Sequence, residues 1–429
     1  MKNFQLIILI VFIAAAIFGI LVFSGAIKLG SDNTASLGTV TLWGTVPTSM
    51  INAPLEDFNN ANPTFVVKYV QKSSDTFDQD LLEALATGSG PDIFFLPDDL
   101  AFHYANKILA IPYSSYPLSS FKNVFAGAGE VFLTGKGILA FPMSVDPLMM
   151  YYNRSILDAS GVVYPPATWD DLVALVPTLV KKDSSNKIVK PEVALGHYSN
   201  VNNAKDILAA LFMQAGNPIV AESGGIFSST LDSSAGNTNL PGVLKFYTDF
   251  ADPNNVATYS WNASFPSSLD VFSSENSALY FGFASELQTL VNRNPNQNFF
   301  IAPFPQMKNA NFKLTSARVT GLAISAFSKN INTAFVAASR MATSDFAAKF
   351  ALATGVAPAR RDLLAIKPTD AYSPIFYSSA LYAKSWVDPS SKDTDNIFSG
   401  MINNVLSNNM SVGDSIKDAS AKMSLLFSR

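Results

Sequence analysis

Cysteine is absent from the 429 residues, and histidine occurs only twice, at His103 and His197. Without thiols the chain forms no disulfide, no thiolate metal site and no cysteine nucleophile. A serine–histidine–aspartate triad would need one of the two histidines, yet no G-x-S-x-G turn occurs. Zinc-protease, EF-hand and P-loop motifs are also absent. We therefore expect a protein without a catalytic residue, a cofactor or a metal ion.

Charged residues are scarce as well, at 14% of the chain, and the formal net charge is only −4. No basic excess is present that would neutralise a phosphate backbone, so a nucleic-acid partner is not expected. Hydrophobic residues make up 48% of the chain, which is enough for large cores. The length exceeds that of one typical domain and favours two lobes.

The longest apolar run lies at the N-terminus. Leu6–Phe23 carries no charge and as a helix would span roughly 27 Å, close to the thickness of a hydrocarbon core. Lys2 favours a cytoplasmic N-terminus, so we expect residues 1–30 to anchor the protein in the cell membrane by a single pass. The alternative is a signal segment cleaved after Ser24–Ala26. Either way, a linker at 31–38 and the remaining chain lie on the extracytoplasmic side.

Short β-rich runs alternate with helical patterns after the linker. Thr39–Trp43, Phe65–Val70 and Ile93–Leu96 read as strands, with helices between them. This alternation predicts an α/β fold with a parallel sheet covered by helices. Such sheets bind ligands beyond the carboxyl ends of their strands, here at Trp43–Thr45 and Leu96–Asp99.

The stretch Gly135–Asp171 is the most informative part of the chain. Two apolar runs, Ile138–Phe141 and Leu148–Tyr152, flank the segment Met143–Asp146, which is bracketed by Pro142 and Pro147. Because proline is confined to edges and bulges of sheets, we expect this segment not to be ordinary central strand. A strand that stops, crosses and restarts is typical of a chain that passes between two α/β lobes.

Several motifs occur in a characteristic order. They are Leu81–Leu96, Gly135–Pro142, Tyr151–Asn153, Pro165–Leu172, Thr320–Lys329 and Gly355–Asp362. In this order the chain resembles the extracellular solute-binding proteins of ABC importers, in the sugar-binding group that includes maltose-binding protein. The resemblance covers residues 38–429. The chain departs from many bacterial members in lacking the cysteine that carries their lipid anchor.

The resemblance implies a two-lobed, periplasmic-binding-protein-like clamshell with three hinge crossings. The crossings are expected near Val145–Leu148, Arg318–Gly321 and Gly355–Arg361. The first lobe would comprise residues 39–145 and 322–356, and the second residues 146–321 and 357–429. Closure of the lobes around a ligand requires such a hinge.

Candidate ligand-binding residues follow from the strand ends and from the resemblance. Sugars present apolar faces that stack on aromatic rings, and hydroxyl groups that bind carboxylates. Trp43 ends the first strand, and Asp98 or Asp99 follows the third. Asp146 lies on the first crossing. Core packing for Trp43, helix capping for the aspartate pair and turn formation for Asp146 are the alternatives.

The second lobe supplies the remaining candidates. Trp261 lies in a polar loop where relatives commonly place an aromatic residue, and Phe281 and Gly282 end an apolar strand. Arg318, near the second crossing, can pair with a carboxylate or with a ligand oxygen. We expect Trp43, one of the aspartate pair, Asp146 and Trp261 to line one groove.

The sequence therefore predicts a protein that captures a small polar solute, foremost a carbohydrate, and delivers it to ABC permease subunits. We expect a monomer and no enzymatic step. Two alternatives stay open. One is a membrane-tethered sensor or scaffold ectodomain of the same fold. The other is a carbohydrate-active enzyme, in which Asp98 or Asp99 would act with Asp146.

Overall fold

The computed structural model of the protein describes residues 37–232 and 239–428. Across these residues, no helix is both long enough and apolar enough to cross a membrane. The predicted anchor Leu6–Phe23 lies outside the described residues, as does most of the predicted linker.

Helices and short strands alternate along the described chain. The strands are β1 Gly38–Gly44, β2 Phe65–Gln71, β3 Ile93–Pro97, β4 Leu133–Thr134, β5 Gly137–Ile138, β6 Ala140–Asn153, β7 Lys181–Lys182, β8 Ile188–Lys190, β9 Val220–Ser223, β10 Ile226–Ser229, β11 Leu279–Phe283, β12 Phe299–Pro303, β13 Thr315–Ile324, β14 Ala357–Pro358 and β15 Ala383–Lys384. The helices are α1 Thr48–Ala61, α2 Phe77–Thr87, α3 Ala101–Tyr104, α4 Leu118–Val124, α5 Arg154–Ala159, α6 Trp169–Leu179, α7 Ala204–Gln214, α8 Leu240–Asp249, α9 Ser268–Ser273, α10 Leu287–Arg293, α11 Ile331–Thr343, α12 Asp345–Thr354, α13 Arg361–Leu364, α14 Ser373–Ala380, α15 Ser391–Leu406 and α16 Val412–Leu426.

The main sheet has the strand order β11-β6-β13-β3-β1-β2. β1 runs parallel to both β2 and β3, so the predicted strand–helix–strand alternation is confirmed. Along β1, Val40 and Leu42 are fully buried and alternate with more exposed residues, which is the pattern of a strand with one buried face. β3 is buried on both faces up to Leu96 and ends at the point where Asp98 follows.

The antiparallel pair β6 and β13 crosses the molecule. β6 is one continuous strand of 14 residues, so the expectation that the strand stops and restarts around Met143–Asp146 is corrected, although the segment is not regular throughout. The register with β13 shifts between Thr320 and Gly321, because Thr320 pairs with Ser144 whereas Gly321 pairs with Pro142. Met143 is thus an extra residue in a β-bulge, a place where a sheet tolerates proline.

Buried side chains form separate cores at the two ends of this ribbon. The first core contains β1 to β3 and the beginning of β6, whereas the second contains the end of β6 from Leu148 onward. Met149 and Tyr151 point to the opposite face of β6, into a smaller cluster with Phe272 and Tyr280. This separation follows from the two-residue period of a strand.

Along the described residues, the buried side chains pass between the first and the second core at three points. The core changes between Val145 and Leu148, and again between Leu314 and Ala317. The third change falls between Ala383 and Trp386. The first point coincides with a predicted crossing, whereas the third lies further along the chain than Gly355–Arg361. The division into lobes at 145, 321 and 356 remains a prediction.

Candidate functional site

A cavity of about 690 Å³ lies between the first and second cores. Its walls come from the end of β3, from the middle of β6 and β13, and from the first residues of α7 and α15. All of these elements end or cross at this point, so their polar ends face one space. A cleft at the carboxyl ends of sheet strands is the usual ligand-binding position in an α/β protein.

Asp98 and Asp99 line the cavity directly after β3. Asp98 is 8% exposed and accepts a hydrogen bond from the hydroxyl of Ser385. Burial, and then the neighbouring Asp99 carboxylate, raises the pKa of Asp98 to about 7. Asp98 therefore exchanges a proton near neutral pH and can donate or accept a hydrogen bond in the cavity.

Asp146 and Arg318 face each other across the ribbon, as a register pair of β6 and β13. The backbone N–H of Ser285 donates to Asp146 Oδ1 at 3.0 Å. Burial raises the pKa of Asp146 to about 6, although the hydrogen bonds from Ser285 and the charge of Arg318 oppose this rise. Arg318 Nη2 lies 3.2 Å from Asp206 Oδ2, and its guanidinium carbon lies 3.9 Å from the ring centre of Phe283.

Lys205, in the first turn of α7, is a further charged residue of the cavity wall. Its side chain is 12% exposed, and its Nζ lies 3.0 Å from a carboxylate oxygen of both Asp388 and Asp395. The hydroxyl of Tyr198 donates to Asp395 at 2.8 Å. The partners of Lys205 lie on the segment that leads into α15 and in its first turn, so this network fixes α15 against α7.

Trp386 is the tryptophan in the cavity wall. It is 9% exposed and stacks on Phe398, with ring centroids 6.1 Å apart and an interplanar angle of 27°.

The cavity also carries six carboxylates and two cations. The carboxylates are those of Asp98, Asp99, Asp146, Asp206, Asp388 and Asp395, and the cations are Lys205 and Arg318. An aromatic wall opposite carboxylates matches the apolar faces and hydroxyl groups of a polar organic molecule.

Residues 44–350 match the family model described as "Bacterial extracellular solute-binding protein". The chain belongs to this family. Its fold is that of a cyclo/maltodextrin-binding protein solved with maltotetraose, with a TM-score of 0.70 at 16% identity over 92% of this chain and 98% of the other. The sugar-binding protein MalE of Xanthomonas citri gives a TM-score of 0.72 at 15% identity, over 91% and 97% of the two chains. The predicted α/β periplasmic-binding-protein-like fold is thus confirmed.

Two further proteins are similar to this chain, one over nearly its whole length and one over a short segment. A solute-binding protein of Thermotoga lettingae, solved with α-D-tagatose, shares 19% identity at a TM-score of 0.66, over 91% of this chain and 100% of the other. A binding protein of Brucella abortus (strain 2308) is 25% identical over 121 residues. That match spans 27% of this chain and 29% of the relative, less than a third of its length. At these identities the structural likeness establishes the fold alone.

Four predicted site residues of this solute-binding protein lie together in the cavity wall, namely Asp98, Asp99, Asp146 and Arg318. The placement of Trp261 in the groove is corrected. Its side chain is fully buried in the second core, stacks on Phe265 at 4.6 Å, and donates its indole N–H to Asn200. A loop residue in the sequence is here a core residue because the loop folds back against the end of α8, where the backbone N–H groups of Ser260 and Trp261 donate to the carbonyl of Phe250.

The other three candidates also lie away from the cavity wall. Trp43 is half-buried beside the first core, with Lys72 Nζ 3.8 Å from its ring centre. Phe281 is 2% exposed and packs against Trp169 and Phe304. Gly282 is buried in β11, where an added Cβ would lie 2.5 Å from the ring of Tyr280. The proposal that these residues bind the ligand has no support from their positions.

Sequence reasoning missed the wall that α7 and α15 form. Lys205 and Asp206 open an apolar helix, where charged residues read as ordinary solvated ends. Asp388 and Asp395 stand in a polar loop and a first helical turn, where they read as caps. Among these residues, only Trp386 could have been recognised as a candidate from its sequence neighbours, because it is a large aromatic residue between polar ones. Within the described residues, no group of three or more histidine, aspartate or glutamate side chains is arranged to hold a metal ion.

Proposed function

We propose that this protein captures a small polar solute, foremost a carbohydrate, in the cavity between its two cores. The observation that carries the proposal is the cavity itself. It brings the ring of Trp386 together with six aspartate carboxylates in one wall. The proteins of the same fold that were solved with maltotetraose and α-D-tagatose support a carbohydrate over other solutes.

Capture does not require any chemical step. A ligand that contacts Asp98 on one side and Lys205 or Trp386 on the other would bridge the two cores. Binding energy then favours the arrangement in which both sides touch the ligand. The cavity volume lies within the range of pockets that hold drug-sized molecules, which corresponds to a mono- or oligosaccharide.

The charge balance of the cavity refines the choice of test compounds. Lys205 is already paired with Asp388 and Asp395, and Arg318 with Asp206. The remaining carboxylates suit hydroxyl groups, and they also suit a protonated amine. Neutral sugars and amino sugars of the same ring and linkage should therefore be compared directly.

A thermal-shift screen on the full-length chain in mild detergent tests this proposal. The panel comprises neutral sugars, amino sugars, polyols, amino acids and short peptides. A ligand at a hundredfold excess over its Kd should stabilise the protein by about 2.7 kcal/mol. Asp98→Asn should reduce the shift, whereas Asp158→Asn on the outer face of α5 should not. If amino acids or peptides stabilise the protein and no sugar does, the carbohydrate assignment is wrong.

We further propose that the protein is exported and anchored by Leu6–Phe23, and that it delivers its solute to ABC permease subunits. Membership of the extracellular solute-binding family supports export and delivery, whereas the anchor is inferred from the length of the uncharged segment alone. Genes for permease subunits beside its own gene would support transport, whereas their absence favours the sensor or scaffold alternative. Turnover on a glycan panel would instead identify a carbohydrate-active enzyme.

A further inference from the structure

Three phenylalanine rings meet outside the cavity. Phe102 contacts Phe427 and Phe227 edge to face, with ring centroids 5.1 Å and 5.7 Å apart. Phe227 and Phe427 stack on each other at 5.8 Å, with an interplanar angle of 24°. Each of the three side chains is partly exposed. Edge-to-face and offset arrangements are the favourable geometries for aromatic pairs, so the cluster is a cohesive contact.

The three rings come from the two sides of the cleft. Phe102 lies on α3, whose Ala101 and Tyr104 belong to the first core. Phe427 follows α16 and packs against the second core. Phe227 lies on β10. That hairpin is fastened to α16, because the backbone N–H of Ser229 donates to Ser424 Oγ at 3.3 Å and the hydroxyl of Ser420 donates to Ser229 Oγ at 3.0 Å.

A second contact of the same hairpin reinforces the first. A Cβ built on Gly135, in the turn between β4 and β5, would lie 3.4 Å from Glu222 Oε1. Burial, and then the charge of Glu222, raises the pKa of Tyr113, whose hydroxyl donates to Thr134 in the same region. The hairpin β9–β10 therefore touches the first core's periphery at two places, neither of which belongs to the cavity wall.

We propose that Phe102, Phe227 and Phe427 form a latch that holds the two cores, from outside the cavity, in the arrangement described here. A movement of one core relative to the other must break or rearrange these ring contacts, because each core supplies one side of them. A solute can shift such an equilibrium only by its preference for one arrangement. Loss of the latch should therefore let the two cores sample other arrangements.

The absence of cysteine makes a direct test simple. Ala86→Cys on α2 and Ala174→Cys on α6 place spin labels on exposed positions of the first and second sides. The distance between the labels is measured by electron–electron double resonance on the full-length chain without solute. We expect one narrow distance distribution, which Phe102→Ala and Phe227→Ala should each broaden or displace.

Phe300→Ala is the matched control. Phe300 is also partly exposed and stacks on one aromatic ring, that of Tyr152, but both residues lie on paired strands of the same side. This variant should leave the distance distribution unchanged. Circular dichroism shows whether each variant is folded. Phe102→Leu removes the ring but keeps an apolar side chain, so it separates loss of the latch from loss of the fold.

An unchanged distribution in folded Phe102→Ala and Phe227→Ala would overturn the latch. This readout needs no solute, so it is independent of whether the cavity binds a sugar.

Discussion

The surroundings of each tryptophan decide its role. Trp261 and Trp386 are both more than nine-tenths buried, yet only Trp386 borders the cavity. The ring of Trp261 is enclosed by Phe265 and the second core, and its N–H has a partner in Asn200. Trp261 therefore belongs to the core alone, whereas Trp386 belongs to the second core and also borders the cavity.

Trp386→Ala should weaken solute binding by roughly 1–3 kcal/mol, because the apolar face of the ligand loses its aromatic partner. Trp43→Ala removes a tryptophan that does not line the cavity and should leave the affinity unchanged. Trp261→Ala should instead lower the free energy of unfolding by about 3–5 kcal/mol through the cavity it leaves. Calorimetric titration of the folded variants, with chemical denaturation, measures both quantities. Equal binding losses for Trp43→Ala and Trp386→Ala would contradict the assignment.

Glu192 is a buried carboxyl group without a hydrogen-bond partner on either side-chain oxygen within the described residues. Burial raises its pKa well above the ordinary value of 4.5. Well below pH 4.5, the Glu192 carboxyl group is protonated in both the folded and the unfolded states. As the pH rises further, only the unfolded state loses the proton, so folding stability should fall.

Glu192→Gln removes this titration and keeps the shape of the side chain. The variant should therefore lose less stability than the parent protein as the pH rises from about 4.5. Urea denaturation at a series of pH values measures the difference, with Glu56→Gln on the exposed face of α1 as the control. A parallel pH profile for the Glu192→Gln variant and its parent would show that Glu192 ionises freely in the fold.

At the scale of elements, the β6–β13 ribbon joins the two cores and carries Asp146 and Arg318 at its centre. The bulge at Met143 lies in the same strand as Asp146, a few residues before it. Gly321, opposite the bulge, has no room for a side chain. A Cβ there would lie 2.8 Å from both Ala140 Cβ and the ring of Phe132.

Gly321→Ala should destabilise the fold by about 1–3 kcal/mol, because the backbone of the ribbon must shift. Gly400 in α15 is the matched control, since an added Cβ meets no atom within 4 Å. Gly400→Ala should be stabilising by about 0.4–1 kcal/mol through reduced freedom of the unfolded chain. Chemical denaturation midpoints compare the two. Similar effects of the same sign would argue against tight packing at the bulge.

At the scale of the whole molecule, the two cores enclose a cavity that the latch of Phe102, Phe227 and Phe427 braces from outside. A movement of one core relative to the other would therefore change both the cavity and the ring contacts.

The predicted anchor gives a separate test of the whole chain. Leu6–Phe23 is long enough to span a hydrocarbon core, so the mature protein should remain in the membrane fraction after high-salt washing. A variant in which a cleavable export signal replaces residues 1–30 should be released from the membrane as soluble protein. Soluble protein with a mature N-terminus near Ile27 would instead show that the segment is a cleaved signal.

Local sequence determined much of the architecture. Buried strands followed by turns placed β1, β2 and β3, and the polar residues after β3 and on β6 and β13 reached the cavity as expected. These predictions depend on short-range patterns, which hold wherever a strand has one or two buried faces. The same patterns, with the order of the motifs, indicated the solute-binding family.

Tertiary structure alone decided which side chains share the cavity. Lys205 and Asp388 are 183 residues apart in sequence, and Asp98 and Ser385 are 287 apart. Nothing in the local pattern of a helix start or a polar loop tells which distant segment will cover it. The same holds for Trp261 and Trp386, since burial in a core or at a cavity depends on the elements packed around each ring. The chain sets its elements by local periodicity, whereas its binding surface arises only where remote segments meet.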